Sequence, residues 1–134
     1  MKKILFVEDL PKLKLGMLMD WLNLKNIRFE YTLVGSVMQA KCYLNNSNNK
    51  VDLVITDMGL PIFENELVSD LLQGLDIIHD MRRLNDKVPV IINSSTHIPN
   101  YEDIKAEFDE RGQELYKVDN IYDMKEWIMK FLIE

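Results

Sequence analysis

The stretch VDLVITDMGLP, residues 51–61, decides how this chain folds. Its centre, Leu53 to Thr56, is a short run rich in β-branched residues, as a strand buried on both faces requires. The run then stops on a carboxylate, Asp57, and is followed by a glycine and a proline. An aspartate at a strand end is by itself an ordinary turn residue. Its meaning depends on what the other strands carry at the same level.

Outward from residue 57 the chain alternates strand-like and helix-like segments. Strands are expected over 3–7 (KILFV), 28–34 (RFEYTLV), 53–56 (LVIT), 88–92 (VPVII) and 114–118. The first, third and fourth are almost purely apolar and belong in the centre of a sheet. The second alternates charged and apolar residues and suits an edge. Between them lie amphipathic helices. One starts at Pro11 and runs to about residue 25, with Leu15, Leu18, Met19 and Leu22 on one face. Ser36 can cap a second, to about residue 45. A third covers 75–85, with Ile77, Ile78 and Met81 inward. Asn100 can cap a fourth over 101–111, with Ile104 and Phe108 inward. The fifth covers 120–132, with Ile121, Met124, Ile128 and Phe131 as its stripe. Such alternation predicts an α/β fold with a five-stranded parallel sheet and helices on both faces. A single domain over 1–134 is expected, without internal repeat or low-complexity segment.

Composition narrows the function. Hydrophobic content of 47% and charged content of 28% are those of a soluble globular domain. The net charge of −6 excludes a basic face for nucleic acid. No apolar run is long enough to span a bilayer, so no membrane partner is expected. The opening MKKILFVEDL has too short an apolar core for a signal peptide, and acidic residues follow at once. It reads as a first strand, and a cytoplasmic location is expected. One cysteine, Cys42, excludes an internal disulfide, and no Cys/His cluster suggests zinc.

In a parallel α/β sheet, ligands bind beyond the carboxyl ends of the strands. Glu8 and Asp9 end the first strand, Asp57 the third, and Asn93, Ser94 and Ser95 the fourth; Lys117 lies on the fifth. Three carboxylates, a hydroxyl and a lysine therefore converge on one edge. Two carboxylates about 4 Å apart repel by roughly 4 kcal/mol at an effective dielectric near 20. One ammonium cannot neutralise three of them, whereas a divalent cation can. An all-oxygen, partly solvated donor set favours Mg2+. A cation, a lysine and a hydroxyl together suit a phosphoryl group, with Asp57 as the candidate nucleophile.

The set VED, LVITDMGLP, VPVIINSS and LYK, in this order and spacing, resembles the receiver domain of bacterial response regulators. The resemblance spans essentially the whole chain. It implies a flavodoxin-like sheet of order 2-1-3-4-5 and a stand-alone receiver. Asp57 matches the phospho-accepting aspartate. Asp9 would hold magnesium directly, Glu8 through water, and the backbone carbonyl of Gly59 would add a third protein ligand. Ser94 and Lys117 would each bind a phosphoryl oxygen. The implied partners are a histidine kinase or phosphotransfer protein and a downstream protein target. A homodimer through the fourth helix, fifth strand and fifth helix is the assembly the resemblance allows, with Trp127 on that surface.

Three departures stand out. Val118 follows the lysine where the family usually has proline. Glu114 occupies the usual place of the switch aromatic, and Tyr116, on the same side of the strand, is the expected substitute, coupled to Ser94. The loop after Pro61 is about nine residues longer than the family pattern before Gly74. That insertion, IFENELVSDLLQ (62–73), spaces Phe63, Leu67 and Leu71 helically. A short amphipathic helix is expected there, offering Phe63 and Leu67 to the body or to a partner. His79 is expected to face solvent, and His97 lies in a loop beside the site. The alternative to a phospho-acceptor is a receiver-fold interaction module that no longer signals through phosphate. A phosphatase of the haloacid dehalogenase type is excluded, because Gly59 stands where the second aspartate is required.

Overall fold

The structure is a computed structural model that describes residues 2–8, 12–46, 48–57, 88–93, 98 and 100–133. In chain order it contains β1 (Lys2–Val7), α1 (Lys12–Leu24), β2 (Phe29–Val34), α2 (Val37–Asn45), β3 (Leu53–Thr56), β4 (Val90–Asn93), α3 (Tyr101–Glu110), β5 (Leu115–Val118) and α4 (Ile121–Ile133). The helix expected over 75–85 and the insertion 62–73, with Phe63 and Leu67, lie outside the described residues. So do His79 and His97.

The five strands form one parallel sheet of order β2-β1-β3-β4-β5. This is the flavodoxin-like order, with the apolar strands central and β2 at an edge. Alternation along each strand sorts the core into two layers. Leu5, Val7, Val54, Val90, Ile92 and Leu115 meet Val37 and Ala40 of α2 and Ile104 and Phe108 of α3. Ile4, Phe6, Leu53, Ile55, Ile91 and Val118 meet Leu18 and Leu22 of α1 and Met124 and Ile128 of α4. Of the stripes read from spacing, Leu18, Leu22, Ile104, Phe108, Met124 and Ile128 are thus on faces that pack.

Element ends differ from expectation in ways the local chemistry explains. β4 begins at Val90, because Pro89 has no N–H to give the ladder; its carbonyl still accepts from Val54 N at 3.0 Å. Ser36 caps α2 as expected, its hydroxyl accepting from Gln39 N at 3.2 Å. Asn100 stands at the cap of α3 but makes no side-chain cap bond. It adopts the left-handed conformation (φ 60°), which asparagine tolerates, and contributes only its carbonyl, accepting from Ile104 N at 3.1 Å. Gly112 (φ 70°) ends α3, and Gln113 N donates back to Phe108 O at 2.9 Å, turning the chain into β5.

Candidate phosphoryl site at the carboxyl edge of the sheet

The backbone ladder carries one step past the strands and fixes the two described carboxylates. Glu8 N donates to Val34 O at 3.1 Å, and Asp57 N donates to Val7 O at 2.9 Å. The Thr56 hydroxyl, fully buried, donates to Asp57 O at 3.0 Å. Val7 pairs with Thr56, Thr56 with Ile92, and Ile92 with Lys117. One row further out, Glu8, Asp57 and Asn93 stand level, with Val118 beside Asn93. Alternation assigns this outer row to the α1/α4 face.

Glu8 is 3% exposed, unusual for a carboxylate. Asn93 Nδ2 donates to Glu8 Oε1 at 3.4 Å. Their strands flank β3, so this contact reaches across the tip of β3, where half-buried Asp57 sits. Two side chains meeting over roughly 9.5 Å of sheet define a small polar roof beside the Asp57 carboxylate. The sequence puts Asn93 at the end of the fourth strand, but does not show the contact its amide makes with Glu8.

Lys117 lies one row behind Asp57, and alternation places it on the α2/α3 face. Its ammonium pairs with Asp119 Oδ1 at 2.6 Å. It also lines a cleft of about 320 Å3 together with Ile98, Asn100, Tyr101, Glu102 and Asp103. Burial raises the Tyr101 phenol above its usual pKa, helped by Glu102 and Asp109. Lys117 and Asp57 are therefore on neighbouring rows but opposite faces.

Tyr116 and Trp127 are brought together, which spacing alone did not indicate. Their rings stack with centroids 3.9 Å apart and planes 21° from parallel. Phe131 extends the stack at 6.3 Å from Trp127. Lys105 lies 5.3 Å from the Tyr116 ring and Lys130 4.9 Å from the Trp127 ring. The Tyr116 hydroxyl donates to Glu114 Oε1 at 2.9 Å. Trp127, expected to face a partner, thus spends much of its apolar surface within the chain. Tyr116 lies on the α4 side of β5; Ser94, its expected partner, lies outside the described residues, as do Asp9 and Gly59.

The donor set fits Mg2+ in kind: Glu8 and Asp57 carry hard oxygen donors at one level of the sheet. Among the described residues no trio of His, Cys, Asp or Glu is close enough to hold a metal ion. Among the same residues no helix is long and apolar enough to cross a membrane.

No family model and no curated protein matches the sequence. Solved structures do match in fold. A response regulator from Hahella chejuensis is 21% identical, with 99% of this chain and 93% of that chain covered and a TM-score of 0.69. The phosphorylated cyanobacterial phytochrome response regulator RcpA is 20% identical over 99% and 94% of the two chains, at 0.66. The Mn2+-bound form of response regulator Rcp1 is 20% identical over 97% and 91%, at 0.64. Sheet order, helix placement and these likenesses lead to one conclusion: the chain has the receiver fold of response regulators.

Proposed function

We propose that this chain is a phospho-accepting receiver in two-component or phosphorelay signalling. The observation that carries the reading is the level row of Glu8, Asp57 and Asn93 at the carboxyl edge of the sheet, with Lys117 one row behind. A carboxylate held rigidly at that edge, beside a buried second carboxylate, is poised for a cation-assisted reaction on phosphorus. Two structures with this fold, those of phosphorylated RcpA and Mn2+-bound Rcp1, support the same reading.

The donor is a phosphohistidine of a histidine kinase or phosphotransfer protein, or a small acyl phosphate. A carboxylate oxygen of Asp57 attacks phosphorus and a P–O bond forms as the donor's bond to phosphorus breaks, P–N in a phosphohistidine or P–O in an acyl phosphate. The imidazole leaves with that electron pair and takes a proton from solvent, or the acyl carboxylate leaves with it. Asp9, Asp57 and the Gly59 carbonyl, with Glu8 through water, would hold Mg2+, which would offset negative charge on the phosphoryl oxygens. Ser94 and Lys117 bind those oxygens. The modified aspartate then biases a protein-binding surface toward a downstream target, formed by α3, β5 and α4 with Trp127, and by Phe63 and Leu67 of the insertion.

A second reading is favoured by the Lys117–Asp119 pair and by Val118: a receiver-fold interaction module that no longer uses phosphate. Binding of beryllofluoride with Mg2+, a phosphoryl mimic, separates the two. Saturable binding that Asp57→Asn abolishes is expected; no binding to the unmodified chain leaves the interaction module.

A further inference from the structure

We infer that Asp119 is a positioning residue, the resting counter-ion that holds the Lys117 ammonium away from Asp57 until a phosphoryl group arrives. This rests on the phospho-acceptor reading above and adds a residue to it.

Three observations support the assignment. Lys117 Nζ lies 2.6 Å from Asp119 Oδ1, so its charge is already engaged. The strand register puts Lys117 level with Thr56 rather than Asp57, on the opposite face of the sheet, with one strand between. Lys117 also lines a cleft at the first turn of α3, and Glu102 and Asp103 contribute acidic residues to the same lining. The lysine therefore rests in an acidic setting next to α3, and has to leave it to reach the outer row.

Side-chain exposure decides whether it can leave. Lys117 is 22% exposed and Asp119 67% exposed. A pair this open to solvent is weak, favouring the paired state by at most about fivefold. A phosphoryl group carries nearly two negative charges and three strong acceptors, and outcompetes a single solvated carboxylate. The pair is thus strong enough to set the resting position and weak enough to yield. Its release also empties the cleft wall beside α3, which links the state of Asp57 to the α3–β5 surface.

The test compares Mg2+–beryllofluoride affinity in the unmodified chain, Asp119→Asn, Asp119→Glu and Glu102→Gln. Asp119→Asn is expected to bind about two- to fivefold more tightly, the range set by an exposed ion pair. Asp119→Glu restores the pair and returns the affinity to that of the unmodified chain. Glu102→Gln removes the same charge from the cleft that Lys117 lines while leaving the pair intact, and is expected to match the unmodified chain. Unchanged affinity in Asp119→Asn overturns the proposal. Equal gains in Asp119→Asn and Glu102→Gln overturn it too, because net charge then explains the effect. No binding by the unmodified chain overturns the phospho-acceptor reading itself, and this inference with it. Asp119 is largely exposed, and a melting curve for each variant reports that the fold is kept.

Discussion

Glu8 shows how far a single residue can be read. Its acidity and its place beside a strand end were visible in the sequence; its burial was not, because burial depends on which strands flank it. The register puts it beside β3 and within reach of Asn93. Neutralising a buried carboxylate level with Asp57 relieves repulsion but, on the proposed function, would remove an acceptor from the metal shell. Glu8→Gln is therefore expected to fold with undiminished stability and to lose about tenfold in Mg2+ affinity, as outer-shell changes do. Calorimetric titration with Mg2+ measures the second effect, and a urea curve the first. Lys117 marks the limit of such reading. Spacing placed it at the strand end, but only alternation against Ile92 and the pair with Asp119 show that it faces α3.

Elements were legible where periodicity and turn chemistry agreed. Leu18 and Leu22 of α1, Ile104 and Phe108 of α3, and Met124 and Ile128 of α4 are buried as their spacing implies. The cap of α2 is equally readable: Ser36→Ala is expected to cost about 1 kcal/mol in urea denaturation. Asn100 stands at the N-cap of α3 as its position implies, but without a side-chain bond, since an asparagine in front of a helix fits both a side-chain cap and a left-handed turn. Trp127 is a different case. Helical spacing shows that it flanks the core stripe, but not that Tyr116 of the neighbouring strand lies under it. The stacked pair is expected to show a coupling of about 0.5–1.5 kcal/mol in a double-mutant cycle of Tyr116→Ala and Trp127→Ala. Independent losses would mean that the two rings do not support each other.

At the scale of the whole molecule, the purely apolar strands marked which strands are central, and the order among them followed only from the family resemblance. A strand buried on both faces has to be central, a strand with alternating charge has to lie at an edge, and β2-β1-β3-β4-β5 satisfies both. The two core layers then depend on a few large side chains. Phe6 and Phe108 are fully buried on opposite faces of the sheet. Phe108→Ala is expected to cost about 3–5 kcal/mol, a large share of the ~5–15 kcal/mol that stabilises a domain. A clear fall in urea midpoint checks it.

The same topology places Asp57 at the one edge where strand ends, helix starts and acidic residues meet. The most direct measurement is mass spectrometry of the chain after incubation with Mg2+ and a small acyl phosphate. The account predicts a gain of one phosphoryl group, stable in acid and lost in base, mapped to Asp57 and absent from Asp57→Asn or when Mg2+ is chelated. An unmodified chain, or a phosphoryl group on another residue, would contradict it.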